Sequence, residues 1–533
     1  MNPNSLTKTL INVIATTNGI PLEDTLELAA LTPNARMSED DRRLIKEFRL
    51  LISSYHRDEI PIEKLFDHPV ADALSFFFKN FPLPFKEEHT HLTGALPAEF
   101  VTPFFQEELA GPSGKKIKTD LETIYGKNVS TDNVSDIAKL LELAPNELFD
   151  RYLQLLYIPK VILTTKERHI LAAKYLATTM IKNHNVGMLR LKFTLARTGD
   201  QVPGVLNSEE DVVMGLYEGL MSVKKEFPHF QFVLSPSFRK ESYFYDQNNY
   251  EKKEDHFIAQ VQTLIKLLDK YPELSQYLTD VDTVGNERDL FRKEHFSEMR
   301  YGLRKLKYRG LFIRSHHGEV WHTLRKGVQA VDNAMNIWQI DTLEHGLSLG
   351  INPNYYFHRL FQRVMENNIQ GVGLEVGSSD EKEISEMEWR EHKHIREKLL
   401  KGFPLNLQEE KIFTKVKFHS AREVEHYQHD VLNRLLDKGI SLVALPSSNN
   451  KLTTCFPDYK DHPFTWWEKK GVQLGIGTDN YVTLGTNYIK ELLLLLFTDP
   501  QNLKITKLLM VATGENRRQF MGRLLWQMRE KWN

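Results

Sequence analysis

In the stretch Phe85-Lys86-Glu87-Glu88-His89-Thr90-His91-Leu92-Thr93-Gly94, two imidazoles stand one residue apart. A β-strand alternates its side chains with period two, so His89 and His91 leave the same face and can reach one metal ion. The chain holds 20 histidines, so one such pair is commonplace, and either ring could equally be a core or surface residue. Three further short segments supply the residue types that the pair lacks. Leu311-Phe312-Ile313-Arg314 runs into Ser315-His316-His317-Gly318-Glu319, Ile340-Asp341-Thr342-Leu343 into Glu344-His345-Gly346, and Gly475-Ile476-Gly477 into Thr478-Asp479-Asn480. Singly these residues read as structural, since a buried Asp caps a helix or turn more often than it binds metal. Gathered at the strand ends of one fold, they would form a metal site with acid–base groups beside it.

The elements around them predict such a fold. From residue 85 onward, short apolar runs alternate with helical stretches, the pattern of a parallel α/β protein. The first strand opens at Phe85. It is followed by Gly187–Thr194, Phe230–Ser235, Leu278–Gly285, Gly310–Arg314, Ile340–Gly346, Ile440–Pro446 and Val472–Thr478. Helical periodicity fills the intervals at Glu167–Lys182, Glu209–Phe227, Asp255–Lys270, Lys293–Lys307, Leu324–Asn336 and Glu423–Lys438. Eight such units predict a (β/α)8 TIM-type barrel, which carries its catalytic residues at the carboxyl ends of its strands.

Two segments lie outside that count. Residues 1–84 read as a helical extension, for instance Asp40–Ser54 with Leu44, Ile45, Phe48, Leu51 and Ile52 on one face, ended by Pro82 and Pro84. The interval between His345 and Pro446 is about twice what one barrel unit needs. Residues 378–422 are therefore expected to be an insertion into the 85–533 barrel domain, with a charged helix over Glu381–Lys401. Val372–Gly377 also has strand character, so Leu374–Gly377 competes with Ile440–Pro446 for the place of seventh strand.

Composition narrows the class of function. With 533 residues, 41% hydrophobic and 26% charged, the chain has ample core material for a soluble globular protein. Its 69 basic and 71 acidic side chains give a formal net charge of -2, which does not suit a polynucleotide partner. The segment Arg300–Arg309, its densest basic patch, reads as a solvated helix face. Cys455 is the only cysteine, which excludes intrachain disulfides and cysteine-rich zinc sites. It also excludes the zinc deaminases built on H-x-E with P-C-x-x-C. No basic-then-apolar leader stands at the start and no apolar run reaches bilayer length, so a cytoplasmic protein without membrane partners is expected.

The motifs His89-x-His91-Leu92-x-Gly94-Ala95, His316-x-Gly318-Glu319, His345-Gly346, Pro446-Ser447-Ser448-Asn449 and Thr478-Asp479 together resemble the adenosine and AMP deaminase family. Asp282-Thr283-Val284-Gly285-Asn286-Glu287 is similar to its fourth strand end, and Asn449-Asn450-Lys451-Leu452 with Asp461-His462-Pro463 to the segment after its seventh. The resemblance spans about 85–525. It implies an amidohydrolase-type enzyme of purine metabolism with one Zn2+ per chain, bound by His89, His91, His316 and Asp479. It also implies the chemistry. Metal-activated hydroxide attacks C6 of a 6-aminopurine while Glu319 protonates N1. His345 and Asp479 orient and deprotonate the water, Gly285 offers its backbone N–H to N3, and ammonia leaves. His317 stands where the family has a small residue; His322 and His462 are expected to be structural.

Two positions depart from the family pattern. Thr93 replaces an Asp that holds the ribose 5′-hydroxyl, as in AMP deaminases and the N6-methyl-AMP deaminase branch. Removing that negative charge admits a 5′-phosphate, which favours AMP or dAMP over adenosine. Asn480 replaces a second Asp that donates a hydrogen bond to N7, and its amide has donors of its own. The alternatives are another mononuclear amidohydrolase, or a low-activity scaffold of this fold in an assembly or a nucleotide-depletion defence system. Binuclear relatives use a modified lysine after the fourth strand, which Asp282–Asn286 lacks. The helical extension and the insertion are candidate surfaces for a homo-oligomer.

Overall fold

The computed structural model describes residues 4–17, 19–31, 38–145, 147, 149–195, 207–453, 458–516 and 518–520. Cys455 lies outside the described residues. Eight parallel strands form one sheet in sequence order: β1 (Phe85–His91), β2 (Val186–Thr194), β3 (Gln231–Arg239), β4 (Asp280–Val284), β5 (Phe312–His317), β6 (Thr342–His345), β7 (Ser441–Ala444) and β8 (Leu474–Ile476). The residues after β8 return to β1: the Asp479 N–H donates to the His89 carbonyl (2.8 Å) and the His91 N–H to the Asp479 carbonyl (3.1 Å). With helices between successive strands, this is the expected (β/α)8 barrel.

All eight expected strands form. The competing run Leu374–Gly377 is not a strand. β6 pairs directly with β7, Leu343 against Leu442 and Glu344 against Val443, so no edge is open for a strand between them. The chain between β6 and β7 carries the helices Pro353–Ile369, Ser379–Glu386, Lys393–Lys401 and Leu407–Asp437, and the segment expected as an insertion, 378–422, falls among them. That last helix has 31 residues and runs straight through position 422, so the insertion and the barrel helix are continuous there. The single charged helix expected over Glu381–Lys401 is broken in two. Trp389 turns inward at the break, buried against Phe413, with its indole N–H on the Ile384 carbonyl (2.6 Å). Tyr356, Leu360, Ile384, Trp389, Ile395 and Phe413 pack in a second apolar core, which Trp321, Leu324 and Leu347 of the barrel join.

In the N-terminal extension, Ser38 and Asp41 form a capping box that starts the helix Glu39–His56. Ile45, Phe48, Ile52 and Tyr55 on that helix are buried. Phe48 meets Phe497 edge-on at 5.6 Å, and His56 Nε2 lies 2.9 Å from the Phe497 carbonyl. The apolar face of the extension is thus spent on the helix Tyr488–Thr498, within one core shared with the barrel.

Glu383 fastens the insertion to the barrel. Its carboxylate accepts the Leu324 N–H (2.6 Å) and the Tyr356 hydroxyl (2.7 Å), a few residues beyond Glu319. Burial pushes its pKa up to about 7. Because the folded pKa lies above the unfolded one, the stability linked to this proton is complete below about pH 4.5 and is lost as pH rises through 7. Thermal unfolding of Glu383→Gln against wild type from pH 5 to 8 checks this. The wild type is expected to lose stability of order 2–3 kcal/mol across that range from this group, and the variant to show a flatter profile.

Candidate active site and metal centre

The carboxyl ends of β1, β5, β6 and β8 bring His89, His91, His316, His345, Glu319 and Asp479 to one place. Three imidazole nitrogens converge: His89 Nε2 to His91 Nε2 is 3.1 Å, His91 Nε2 to His316 Nε2 is 3.2 Å, and His316 Nε2 to His89 Nε2 is 3.1 Å. Asp479 Oδ1 lies 3.7 Å from His89 Nε2 and 3.6 Å from His91 Nε2.

The opposite ring nitrogens decide what these contacts are. His89 Nδ1 is 2.7 Å from Glu344 Oε2, and His316 Nδ1 is 3.2 Å from Asp282 Oδ1. A proton on each Nδ1, donated to a carboxylate, leaves each Nε2 a bare acceptor. Burial holds both rings well below the ordinary histidine pKa, opposing a second proton. The close approach of His89 and His316 is therefore lone pair against lone pair, which a shared cation resolves. Tetrahedral ligands at roughly 2.0–2.1 Å from zinc stand about 3.3 Å apart, close to the observed spacing. The three imidazoles fit a divalent metal, with the Asp479 carboxylate beside two of them.

Other groups surround this centre. His345 Nδ1 is 2.9 Å from Asn449 Oδ1, and Asn449 Nδ2 is 3.2 Å from His462. A proton on His345 Nδ1 leaves Nε2 free, 3.7 Å from Glu319 Oε1. Burial lowers the His345 pKa to about 4, so the ring is neutral at pH 7. Asp479 Oδ2 accepts the Ser448 hydroxyl (2.6 Å). Glu319 sits on a loop gathered by the Glu287 carboxylate, which accepts the backbone N–H groups of Gly318 (3.2 Å), Glu319 (2.7 Å) and Val320 (3.1 Å). Burial, reinforced by the charges of Asp479 and Glu287, raises the Glu319 pKa well above the carboxylate range, which favours its protonated form.

A cavity of about 80 Å³ opens on His91, His316, Glu319 and Asp479, and Thr93, Gly285 and Asn480 line it too. The helix Phe149–Leu155 lines it with Phe149, Tyr152 and Leu153, and Leu156, the residue that joins this helix to Tyr157–Ile162, lines it too. Gly285 has φ +110°, and a β-carbon there would meet the Glu241 carboxylate within 2.5 Å, so only glycine fits.

All the site residues expected from the sequence line this cavity or belong to the histidine cluster beside it. His317 does not; it points out of the barrel between Phe296 and Trp338, its Nδ1 2.7 Å from the Ser315 hydroxyl. His322 bridges Asp289 and Lys382 at the insertion. His462, expected to be structural, holds Asn449 beneath His345. Glu344, Asp282 and Lys192 had no expected role. Glu344 stands directly before His345, where a carboxylate beside a ligand-type residue was a usable signal. Tyr152 was missed as well. It carries no motif and reaches the site from a helix far from any barrel strand end in sequence.

No protein-family model and no curated protein sequence matches the chain. Solved structures do. The ADAL–IMP complex aligns at 14% identity, covering 86% of this chain and 98% of that one, with a TM-score of 0.50. An N6-methyl-AMP deaminase from Arabidopsis thaliana aligns at 13% identity (86% and 98% covered, TM-score 0.49), and a Zn-bound amidohydrolase from Burkhoderia ambifaria at 14% (87% and 92% covered, TM-score 0.49). At this identity the likeness to the ADAL–IMP structure establishes the fold. That shared barrel is the one expected for the adenosine and AMP deaminase family, which the strand-end motifs resemble.

Proposed function

We propose that the chain is a zinc-dependent hydrolase that removes the 6-amino group of a purine nucleoside 5′-monophosphate, AMP or dAMP, in preference to adenosine. The observation that carries this reading is the convergence of three imidazole nitrogens, those of His89 and His316 bare, with Asp479 beside them and Glu319, its pKa raised, on the adjoining small cavity. His89, His91, His316 and Asp479 would hold one divalent ion. When bound, such an ion supplies a Lewis acid that lowers the pKa of water from 15.7 to about 7.

The chain's own groups account for the rest. The proton on Glu319 passes to N1 of the ring, which makes C6 electrophilic. Neutral His345 accepts a proton from the attacking water at Nε2, while Asn449 fixes its Nδ1 tautomer. The Gly285 backbone, free of a side chain, approaches the ring edge near N3. Phe149, Leu153 and Leu156 give the base an apolar, water-poor wall and must move aside for a nucleotide to enter, since small-molecule pockets usually reach about 300–1,000 Å³. Thr93 carries no charge against a phosphate, and two cationic side chains, Lys160 and Arg239, line the same cavity. Arg239 is paired there with Glu241.

Ammonia release from purified protein with adenosine, AMP and dAMP, alongside metal analysis, tests the reading. Turnover of AMP or dAMP with one zinc per chain is expected; zinc without turnover of any purine would sink it. Glu319→Gln should keep zinc and lose about 10²- to 10⁴-fold in turnover. The protonated form of Glu319 is the active one, so wild-type turnover should fall on the alkaline side as pH rises through its elevated pKa. Asp282→Asn and Glu344→Gln each remove the carboxylate behind a ligand histidine. Each should weaken zinc binding roughly 10- to 100-fold in a chelator competition, and unchanged affinity would contradict the assigned ligands.

A further inference from the structure

Asn480 is expected to offer its amide hydrogens to N7 of the purine, but the structure spends them elsewhere. One N–H of its Nδ2 donates to Asp479 Oδ1 (2.9 Å) and the other to the Tyr152 hydroxyl. Its Oδ1 is buried without a partner and is turned toward Gly94, where a β-carbon would lie 1.9 Å from it. The amide that replaces the family's carboxyl therefore presents no free donor to the cavity.

A phenol differs from an amide in having one hydrogen and two acceptor positions. Tyr152 already accepts from Asn480, so its hydrogen must point elsewhere. The acceptor within reach is Asp479 Oδ1, at a long 3.3 Å. That oxygen already accepts from Asn480 and faces the histidine cluster. The phenol hydrogen is thus weakly held, on the wall that Tyr152 shares with Asn480, Glu319 and Gly285.

We infer that the Tyr152 hydroxyl, and not the Asn480 amide, is the donor this site presents to N7 of the purine. Asn480 acts through it as a positioning residue, fixing the phenol oxygen so that its hydrogen turns inward. The inference rests on the purine reading above and adds a specificity-determining residue to it. Tyr152 comes from the helix Phe149–Leu155, so the same short element that lines the cavity reads the imidazole edge of the base. A buried donor of this kind discriminates against a ring that lacks the acceptor, because the analogue leaves it unpaired.

Calorimetric binding of IMP, the expected product, and of 7-deaza-IMP to the full-length zinc-loaded protein tests the inference. Wild type is expected to bind IMP about tenfold more tightly than 7-deaza-IMP. Tyr152→Phe, with its thermal midpoint recorded as a check on folding, should lose that factor for IMP and leave 7-deaza-IMP unchanged. Equal affinity of wild type for the two ligands would overturn the assignment without recourse to the variant. So would an equal loss for both ligands in Tyr152→Phe, which marks a purely structural tyrosine. Unchanged IMP binding in the variant would return the donor role to Asn480. Each of these outcomes leaves the purine reading standing. Wild-type protein that binds neither purine would remove that reading and the inference together.

Discussion

The site depends on one buried ammonium. Lys192 of β2 is fully enclosed in the barrel and lies 2.9 Å from both Asp282 Oδ2 and Glu344 Oε1. Those two carboxylates stand behind His316 and His89. A lysine withdrawn from water is costly unless it is paired, and so are two carboxylates. Here each offsets the others. Arg314 adds a second cation to Glu344, and Arg190 bridges Glu88 and Asp280 one layer below. The interior of this barrel is therefore partly ionic where the usual layers are branched apolar residues. That layer fixes which nitrogen of each imidazole carries its proton, and so makes the opposite nitrogens convergent acceptors.

Barrel closure completes the set. The hydrogen bonds that join the end of β8 to β1 run between the backbones of His89, His91 and Asp479 themselves, so the last seam of the sheet and the carboxylate beside the histidines arrive together. Both His345 (φ 66°) and Asp479 (φ 58°) occupy the left-handed region, which is unfavourable for residues with a β-carbon. Neighbouring contacts over-determine them. Asp479 is pinned by its own N–H and carbonyl to β1, and by Ser448 through its carboxylate. His345 is followed by Gly346, also at positive φ, whose N–H bonds the His317 carbonyl of β5 (3.1 Å). The strain lets each side chain leave the strand axis and aim across the mouth of the barrel.

The eight strands were legible because each is a short apolar run flanked by helical periodicity, and parallel strands buried on both faces have that signature. The histidines and Asp479 that converge were legible as a group because they sit at strand ends, where the fold itself fixes their direction. Lys192, Asp282 and Glu344 were not, since a charged residue inside a strand gives no sign of whether it faces solvent or a buried partner on another strand. The break at Trp389 was hidden for a related reason. Charge periodicity over Glu381–Lys401 favours one helix, and only the insertion core, assembled from distant segments, pulls the indole inward. Tyr152 belongs to a helical segment whose place over the barrel is set by tertiary packing alone. Thr93 and Asn480 were visible as departures, but what replaces the missing carboxyl at Asn480 could be read only from where its amide hydrogens go.

Two carboxylic acids show most directly how this fold divides its chemistry. Glu319 and Glu344 are equally enclosed, and burial alone would raise both pKa values. For Glu344 the nearby Arg314 and Lys192, with the hydrogen bond from His89, reverse that tendency and hold it well below the carboxylate range. It stays an anion and serves as a fixed acceptor behind His89. For Glu319 the close charges are mainly those of Asp479 and Glu287, which add to the effect of burial and favour its protonated form. The same residue type is thus held as an anion behind the histidines and pushed toward its protonated form at the cavity. The difference comes from which strands carry the cations: β2 and β5 direct theirs to Glu344, beneath the histidine cluster.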